Sequence, residues 1–225
     1  MAVTAARRRK KLTGSRLLRH DRSFGARYVA GADEAGRGCL AGPLVAAAVS
    51  FDTELLTGPR ARPLARLNDS KQHTAAGREE LYDVVIACAR DVCVVVIPAG
   101  QIDRRGLHRS NLHALERALR GLGSEPQVRL TDGFRLPVDD LPHQAVIKGD
   151  ATSAAIAAAS IVAKVTRDRF MHRMAAEFPD YGFESHVGYI TPEHTQAVRT
   201  HGTTPLHRRS FAALAYEQLG LDLSG

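Results

Sequence analysis

The stretch Tyr28–Phe51, YVAGADEAGRGCLAGPLVAAAVSF, carries the decision about the fold. A short apolar run leads straight into two adjacent acids, Asp33 and Glu34, and then into the glycine-flanked Gly36-Arg37-Gly38. A second apolar run, Leu44–Phe51, follows closely. Two strands joined this tightly leave no room for the crossover that a parallel pair needs, so the sheet is expected to be mixed. Successive side chains of a regular strand point to opposite faces. Asp33 and Glu34 therefore reach one site only if the strand ends or twists there, which Gly36 and Gly38 permit.

Working outward, Asp52–Asn68 reads as an irregular excursion broken by Gly58, Pro59 and Pro63. Leu81, Val84, Val85 and Cys88 recur at helical spacing and predict a helix over Thr74–Arg90. Val92–Ile97 is β-branched and reads as a strand. A second amphipathic helix is predicted over Gln101–Gly121, with Leu112, Leu115 and Leu119 on one side. Val128–Thr131 and Ala145–Ile147 are two further short strands. Ala151–Phe178 reads as one long helix that begins rich in alanine, small residues that allow close packing on a sheet. Pro179–Gly225 reads as loops with two more helices, around His194 and Tyr216. The sum is an α/β layer architecture of about five strands with flanking helices.

The 225 residues, 44% of them apolar, can bury one sizeable core. No apolar run approaches the ~20 residues of a membrane span. The arginines of Met1–Asp21 are followed by no continuous apolar stretch, so no secretory signal is expected. Cys39, Cys88 and Cys93 form no metal-type C-x-x-C pair, and a reducing cytoplasmic setting is the simplest. Cys39 beside the acid turn reads as a small packed side chain. Residues 1–22 hold eight basic side chains against one acid, Asp21, which accounts for the whole net charge of +7. They read as a basic, flexible tail, suited either to salt-sensitive attraction to a polyanion or to solubility alone. Residues 23–225 form the folded part, with balanced charge.

Three of the strands end in acid: Asp33-Glu34, Asp132 in LTDG, and Asp150 in KGDATS. Acids that end separate strands of one sheet can meet along a single edge. Without a partner they would repel and raise one another's pKa values. Around divalent cations they are satisfied, and oxygen-only ligands favour Mg²⁺ or Mn²⁺ over zinc. Paired metals roughly 3.5–4 Å apart serve phosphodiester hydrolysis by activating water and stabilising the leaving oxygen. Each acid also has an ordinary structural explanation. Asp132-Gly133 is a common turn dipeptide, and Asp150 reads as a helix N-cap. Their recurrence at one structural location favours the metal reading.

Gly36-Arg37-Gly38 offers backbone N–H groups suited to an anion or a hydroxyl oxygen. Gly36-x-Gly38-x-x-Ala41 also fits a dinucleotide fingerprint, with Glu54 near the expected downstream distance. That fingerprint requires a helix after the loop, whereas Pro43 and LVAAAVSF predict a strand. Two acids directly before the glycines would also repel a pyrophosphate.

The blocks GADEAGRGCLAGPLVAAAV, NDSKQ, LTDG, KGDATSAAIAAASIVAKVTRDR, VGYITPEH and HRRSF occur in the order expected of ribonuclease HII. The chain resembles that family from Tyr28 to Phe211. The resemblance implies a ribonuclease H-like mixed sheet flanked by helices, with a C-terminal helical extension at about 179–225. It implies an endoribonuclease that hydrolyses the RNA strand of RNA–DNA hybrids. Single ribonucleotides in duplex DNA would be cut on their 5′ side, leaving 3′-hydroxyl and 5′-phosphate ends. Asp33, Glu34, Asp132 and Asp150 match the metal-binding catalytic acids, with Asp33 bridging two ions of Mg²⁺ or Mn²⁺. Gly36, Arg37 and Gly38 match the turn that senses the ribose 2′-hydroxyl, the group that distinguishes RNA from DNA. Tyr189 matches the tyrosine that stacks on the sugar beside the scissile phosphate. Lys71 and Arg208 fall in less specific motifs and are expected to contact phosphate or nucleic-acid backbone, as is Lys148. The implied partners are hybrid and ribonucleotide-containing duplexes, with no membrane, and a monomer is expected. The alternatives are a nuclease of type 1 specificity, needing several consecutive ribonucleotides, and a non-catalytic nucleic-acid-binding module driven by the basic tail.

Overall fold

The computed structural model describes residues 13–68 and 70–211. β1 (Tyr28–Ala35) and β2 (Leu44–Asp52) pair antiparallel, with Asp33 opposite Ala47. β2 pairs antiparallel with β3 (Asp91–Ile97), while β1 runs parallel to β4 (Val128–Asp132), and β4 parallel to β5 (Gln144–Val146). The order β3-β2-β1-β4-β5 is the mixed sheet that the short first connection requires. Every residue of β2 is buried, as an unbroken apolar run covered on both faces must be.

The helices complete the layers. In chain order they are α1 (Thr13–Arg22), α2 (Gly58–Ala61), α3 (Ala75–Cys88), α4 (Ala99–Arg105) and α5 (Leu107–Arg120), then α6 (Ala154–Glu177), α7 (Phe183–His186) and α8 (Pro192–His201). On one face of the sheet Val29, Val45 and Val49 pack with Ile156 and Ile161 of α6. On the other, Ala30, Ala32 and Ala46 pack with Leu115 and Leu119 of α5. The alanine-rich start of α6 comes so close to β1 that a Cβ on Gly31 would lie 2.2 Å from the Ile156 backbone nitrogen. Small residues on both sides of that contact set the helix directly over the acid-bearing strand.

The structure corrects the sequence reading in several places. Residues 13–22 are a packed helix and not part of a flexible tail. Leu17 and Leu18 of α1 are buried, and the Asp21 carboxylate accepts a hydrogen bond from Ala155 N at 2.9 Å. Burial raises the Asp21 pKa, and its bonds to Ser153 and Ala155 oppose the rise. Residues 1–12, and the helix expected around Tyr216, lie outside the described residues. The helix predicted over 101–121 is two helices, because Gly106 takes a φ of 79° between α4 and α5. No helix among the described residues is long and apolar enough to cross a membrane.

Candidate active site

The strand register brings the acids together. Ala32 lies beside Thr131 in the parallel β1–β4 pair, so Asp33 and Asp132 follow side by side at the same sheet edge. β5 ends at Val146, and the chain turns back through Gly149, whose N–H donates to Asp132 Oδ1 at 2.6 Å. Asp150 occupies the single 3₁₀ turn Gly149–Ala151 that follows. It is not the cap of α6. That place belongs to Ser153, whose hydroxyl accepts from Ile156 N at 3.3 Å. Asp33, Glu34, Asp132 and Asp150 all line one cleft of ≈ 350 Å³.

Asp33 and Glu34 do alternate across the strand. Asp33 points to the α6 side, where the Ser160 hydroxyl steadies it, and Glu34 to the α5 side, beside the buried Asn111 amide. They share the cleft because β1 ends one residue later, at Ala35. Burial pushes the Asp33 carboxyl well above the usual carboxylate range, and the charges of Glu34 and Asp132 push it further. Glu34 is pushed up to about 7, chiefly by burial, with Asp132 adding to the rise. Arg37, Asn111 and Lys71 oppose that rise, Arg37 with Nη1 3.6 Å from Glu34 Oε1. Glu34 Oε2 is buried with no hydrogen-bond partner. An orphaned carboxylate oxygen among repelling acids is satisfied by a hard cation, and the donor set is all oxygen. Among the described residues no group of three or more His, Cys, Asp or Glu is spaced to hold a metal ion as it stands. The fit to a divalent cation therefore rests on the donor chemistry and that orphaned oxygen.

This strain has a measurable sign. Glu34 in the folded chain holds its proton more tightly than in the unfolded one. Its contribution to stability is therefore full below about 4.5 and is lost as pH rises through about 7. The loss amounts to roughly 3 kcal/mol, or about 6–10 °C in the unfolding midpoint of a domain this size. In the presence of a chelator, Glu34→Gln is expected to gain about that much over the parent between pH 5 and pH 8. Comparing the two proteins at each pH cancels the other titrating groups. A constant difference across that range would show that Glu34 is not strained.

The glycine turn is built from beneath by two buried arginines. Gly36 has a φ of 92°, and a Cβ there would lie 2.1 Å from Nε of Arg167. Arg167, on α6, donates to the carbonyls of Pro43 (3.0 Å), Ala41 (2.9 Å) and Val187 (2.9 Å). Arg208 is fully buried and donates to the carbonyls of Gly42 (3.0 Å) and Arg37 (3.1 Å). The expectation of a phosphate contact from Arg208 gives way to this inward role, because its guanidinium shapes the turn without reaching solvent. Burial also pushes its pKa down to about 10. Arg37 itself lines the cleft, its guanidinium 4.6 Å from the centre of the Phe134 ring. The chain then runs into β2 and not into a helix, which removes the dinucleotide reading.

Tyr189 lines the same cleft, 43% exposed, with Lys164 Nζ 5.3 Å from its ring centre. Burial raises its phenol pKa, and the Cys39 thiol beside it adds to the effect. Lys71 is exposed on the cleft wall, whereas Lys148 is exposed on a left-handed turn residue (φ 54°) and does not line the cleft. The sequence reading missed Asn111, Ser160, Lys164 and Arg167. Ser160 and Lys164 face the site from the SIVAK run, where a polar residue among alanines was the available signal. Lys164 also donates to Asp168 at 2.8 Å, and Arg78 lies 3.6 Å from the same carboxylate.

Comparison with known proteins places this arrangement. The ribonuclease HII family model matches residues 30–214. The chain belongs to the ribonuclease HII family. A ribonuclease HII of Salinispora tropica is 52% identical over 191 residues, which is 85% of this chain and 69% of the relative. That of Geobacillus kaustophilus is 46% identical over 199 residues, 87% of this chain and 74% of the relative. The crystal structure of ribonuclease H2 from Pyrococcus horikoshii matches with a TM-score of 0.70 at 29% identity, over 87% of this chain and 100% of that one. The protein is thus a metal-dependent ribonuclease H with the family's mixed sheet, acting on RNA–DNA hybrids. Membership also sets aside the non-catalytic binding module.

Proposed function

We propose that this ribonuclease HII cuts duplex DNA on the 5′ side of a single embedded ribonucleotide as well as within longer hybrids. One observation carries the reading: the acids, the Gly36–Gly38 turn and Tyr189 converge on one cleft. Asp33, Glu34, Asp132 and Asp150 would hold two ions of Mg²⁺ or Mn²⁺. Such ions, when bound, supply an activated water and stabilisation of the leaving oxygen. The chain's own residues do the selecting. The backbone N–H groups at Gly36–Gly38 meet the ribose 2′-hydroxyl, and a Cβ at Gly38 would meet nothing within 4 Å, so its surface is open to a sugar. Tyr189 offers its ring to that sugar, and Lys71 offers charge to a neighbouring phosphate. Lys148 sits outside the cleft wall, where it could meet only a more distant part of the duplex. One chain supplies every one of these groups, so the reading needs no more than a monomer. Three free thiols support a reducing, cytoplasmic setting.

The test is cleavage of end-labelled duplex DNA carrying one ribonucleotide, with Mg²⁺, with Mn²⁺ and with EDTA. A single metal-dependent cut 5′ of the ribonucleotide is expected. Cutting confined to hybrids with several consecutive ribonucleotides would mean type 1 specificity and would remove the proposed roles of the turn and Tyr189.

A further inference from the structure

Tyr189 is held by its backbone through two buried histidines. Its carbonyl accepts a hydrogen bond from His194 Nδ1 at 2.8 Å, and His194 Nε2 meets His207 Nε2 at 3.1 Å. His207 Nδ1 in turn lies 2.9 Å from Thr204 N. A backbone amide only donates, so His207 Nδ1 is unprotonated and the ring's proton sits on Nε2. That proton is given to His194 Nε2, which leaves His194 protonated on Nδ1 and aimed at the Tyr189 carbonyl. One pair of neutral tautomers satisfies all four ring nitrogens. Burial supports it by holding both imidazoles near pKa 4, so neither ring charges at neutral pH.

Both ends of this chain of hydrogen bonds are anchored. His207 forms a β-bridge with Ala41, and Arg208 N donates to Leu40 O at 2.9 Å, just beyond the glycine turn. Leu40 N donates to Gly188 O, also at 2.9 Å, directly before Tyr189. His186 stacks on His194 with ring centres 4.4 Å apart, and its Nδ1 accepts from Gly188 N at 3.1 Å. A core built for stability alone would be as well served by apolar side chains. A fully satisfied buried network instead selects one arrangement of the groups that it joins.

We propose that His194 and His207 are positioning residues that fix the Tyr189 backbone in register with the Gly36–Gly38 turn and so set the rate of cleavage at a ribonucleotide. This rests on the reading of Tyr189 as the residue that meets the sugar. The experiment measures kcat and KM on duplex DNA with one ribonucleotide, for the parent, His194→Leu, Tyr189→Ala and the double variant. Each is assayed below its own unfolding midpoint. His194→Leu is expected to lower kcat roughly tenfold to a hundredfold with KM little changed. In the Tyr189→Ala background the same change is expected to cost less than about twofold. Equal losses in both backgrounds would overturn the proposal, because the histidine would then act elsewhere. Full cleavage by Tyr189→Ala alone would instead sink the reading of Tyr189, whatever the histidines do. Should His194→Leu not fold, two milder variants decide. His194→Asn keeps a donor at the Nδ1 position, toward Tyr189, whereas His194→Gln reaches only toward His207. Asn is expected to retain several times the kcat of Gln, and the reverse order or equality would overturn the proposal.

Discussion

Asp33→Asn is expected to abolish cleavage while making the metal-free protein more stable than its parent. The two effects share one cause. Asp33 is buried at the centre of the acid edge, next to Glu34 on its own strand and Asp132 on the neighbouring one. In the proposed reading it is one of the four carboxylates that would hold the cations, at the centre of the set, so losing its charge would weaken the hold on both. A fall in kcat of at least about 10³-fold is expected with either Mg²⁺ or Mn²⁺, on the scale of removing a main electrostatic stabiliser. Asparagine keeps the shape and can still accept from Glu34 N, which donates to Asp33 Oδ1 at 2.7 Å. The stability sign follows from the raised folded-state pKa. Asp33's contribution is present at low pH and is lost as pH rises above the ordinary carboxylate range, so at pH 8 an ionisable carboxyl here costs the metal-free fold stability that an amide does not. The variant should therefore melt higher than the parent in EDTA at pH 8, and should bind hybrid about as well. Turnover within tenfold of the parent would remove Asp33 from the catalytic set. A lower melting point would show that the edge is not repulsive.

What could be read from the sequence was what its own residues carry in local order. The acid–glycine–arginine block gives two strands and their tight connection. The acids at the ends of β1 and β4 meet because parallel neighbours place them at one edge. Even the alternation of Asp33 and Glu34 follows from the strand period. The misreadings came from tertiary packing. α1 lies inside a run of basic residues, and only the burial of Leu17, Leu18 and Asp21 against the fold distinguishes it from a tail. Arg208 looked like a surface cation because most arginines are, and only the completed fold shows its partners to be backbone carbonyls. Arg167 was missed for the same reason: every residue has a carbonyl, so nothing in the sequence marks the three that it holds.

Arg167 is where that hidden layer can be tested most directly. Its guanidinium is fully buried, and its donors run to Pro43 and Ala41 on one side and to Val187 on the other. It thus joins the segment after the Gly36–Gly38 turn to the loop that carries Tyr189. Arg167→Met removes the charge and leaves two buried carbonyls and one part-buried one short of a donor, each buried one worth about 1–3 kcal/mol. Relief of burying the charge offsets part of this, so a net loss of roughly 3–5 kcal/mol is expected. Against a typical total of about 5–15 kcal/mol the variant should still fold at low temperature. There its kcat on a single embedded ribonucleotide is expected to fall about 100-fold, since the turn and Tyr189 lose their common anchor. Denaturant unfolding and steady-state rates at that temperature separate the two effects. Lost stability with unchanged kcat would reduce Arg167 to a strut. Arg167→Lys then distinguishes charge from geometry, because lysine keeps the cation without the planar fork that reaches three acceptors at once. If the fork is what matters, Lys resembles Met in kcat, and a lysine variant as active as the parent would show that a buried positive charge is enough.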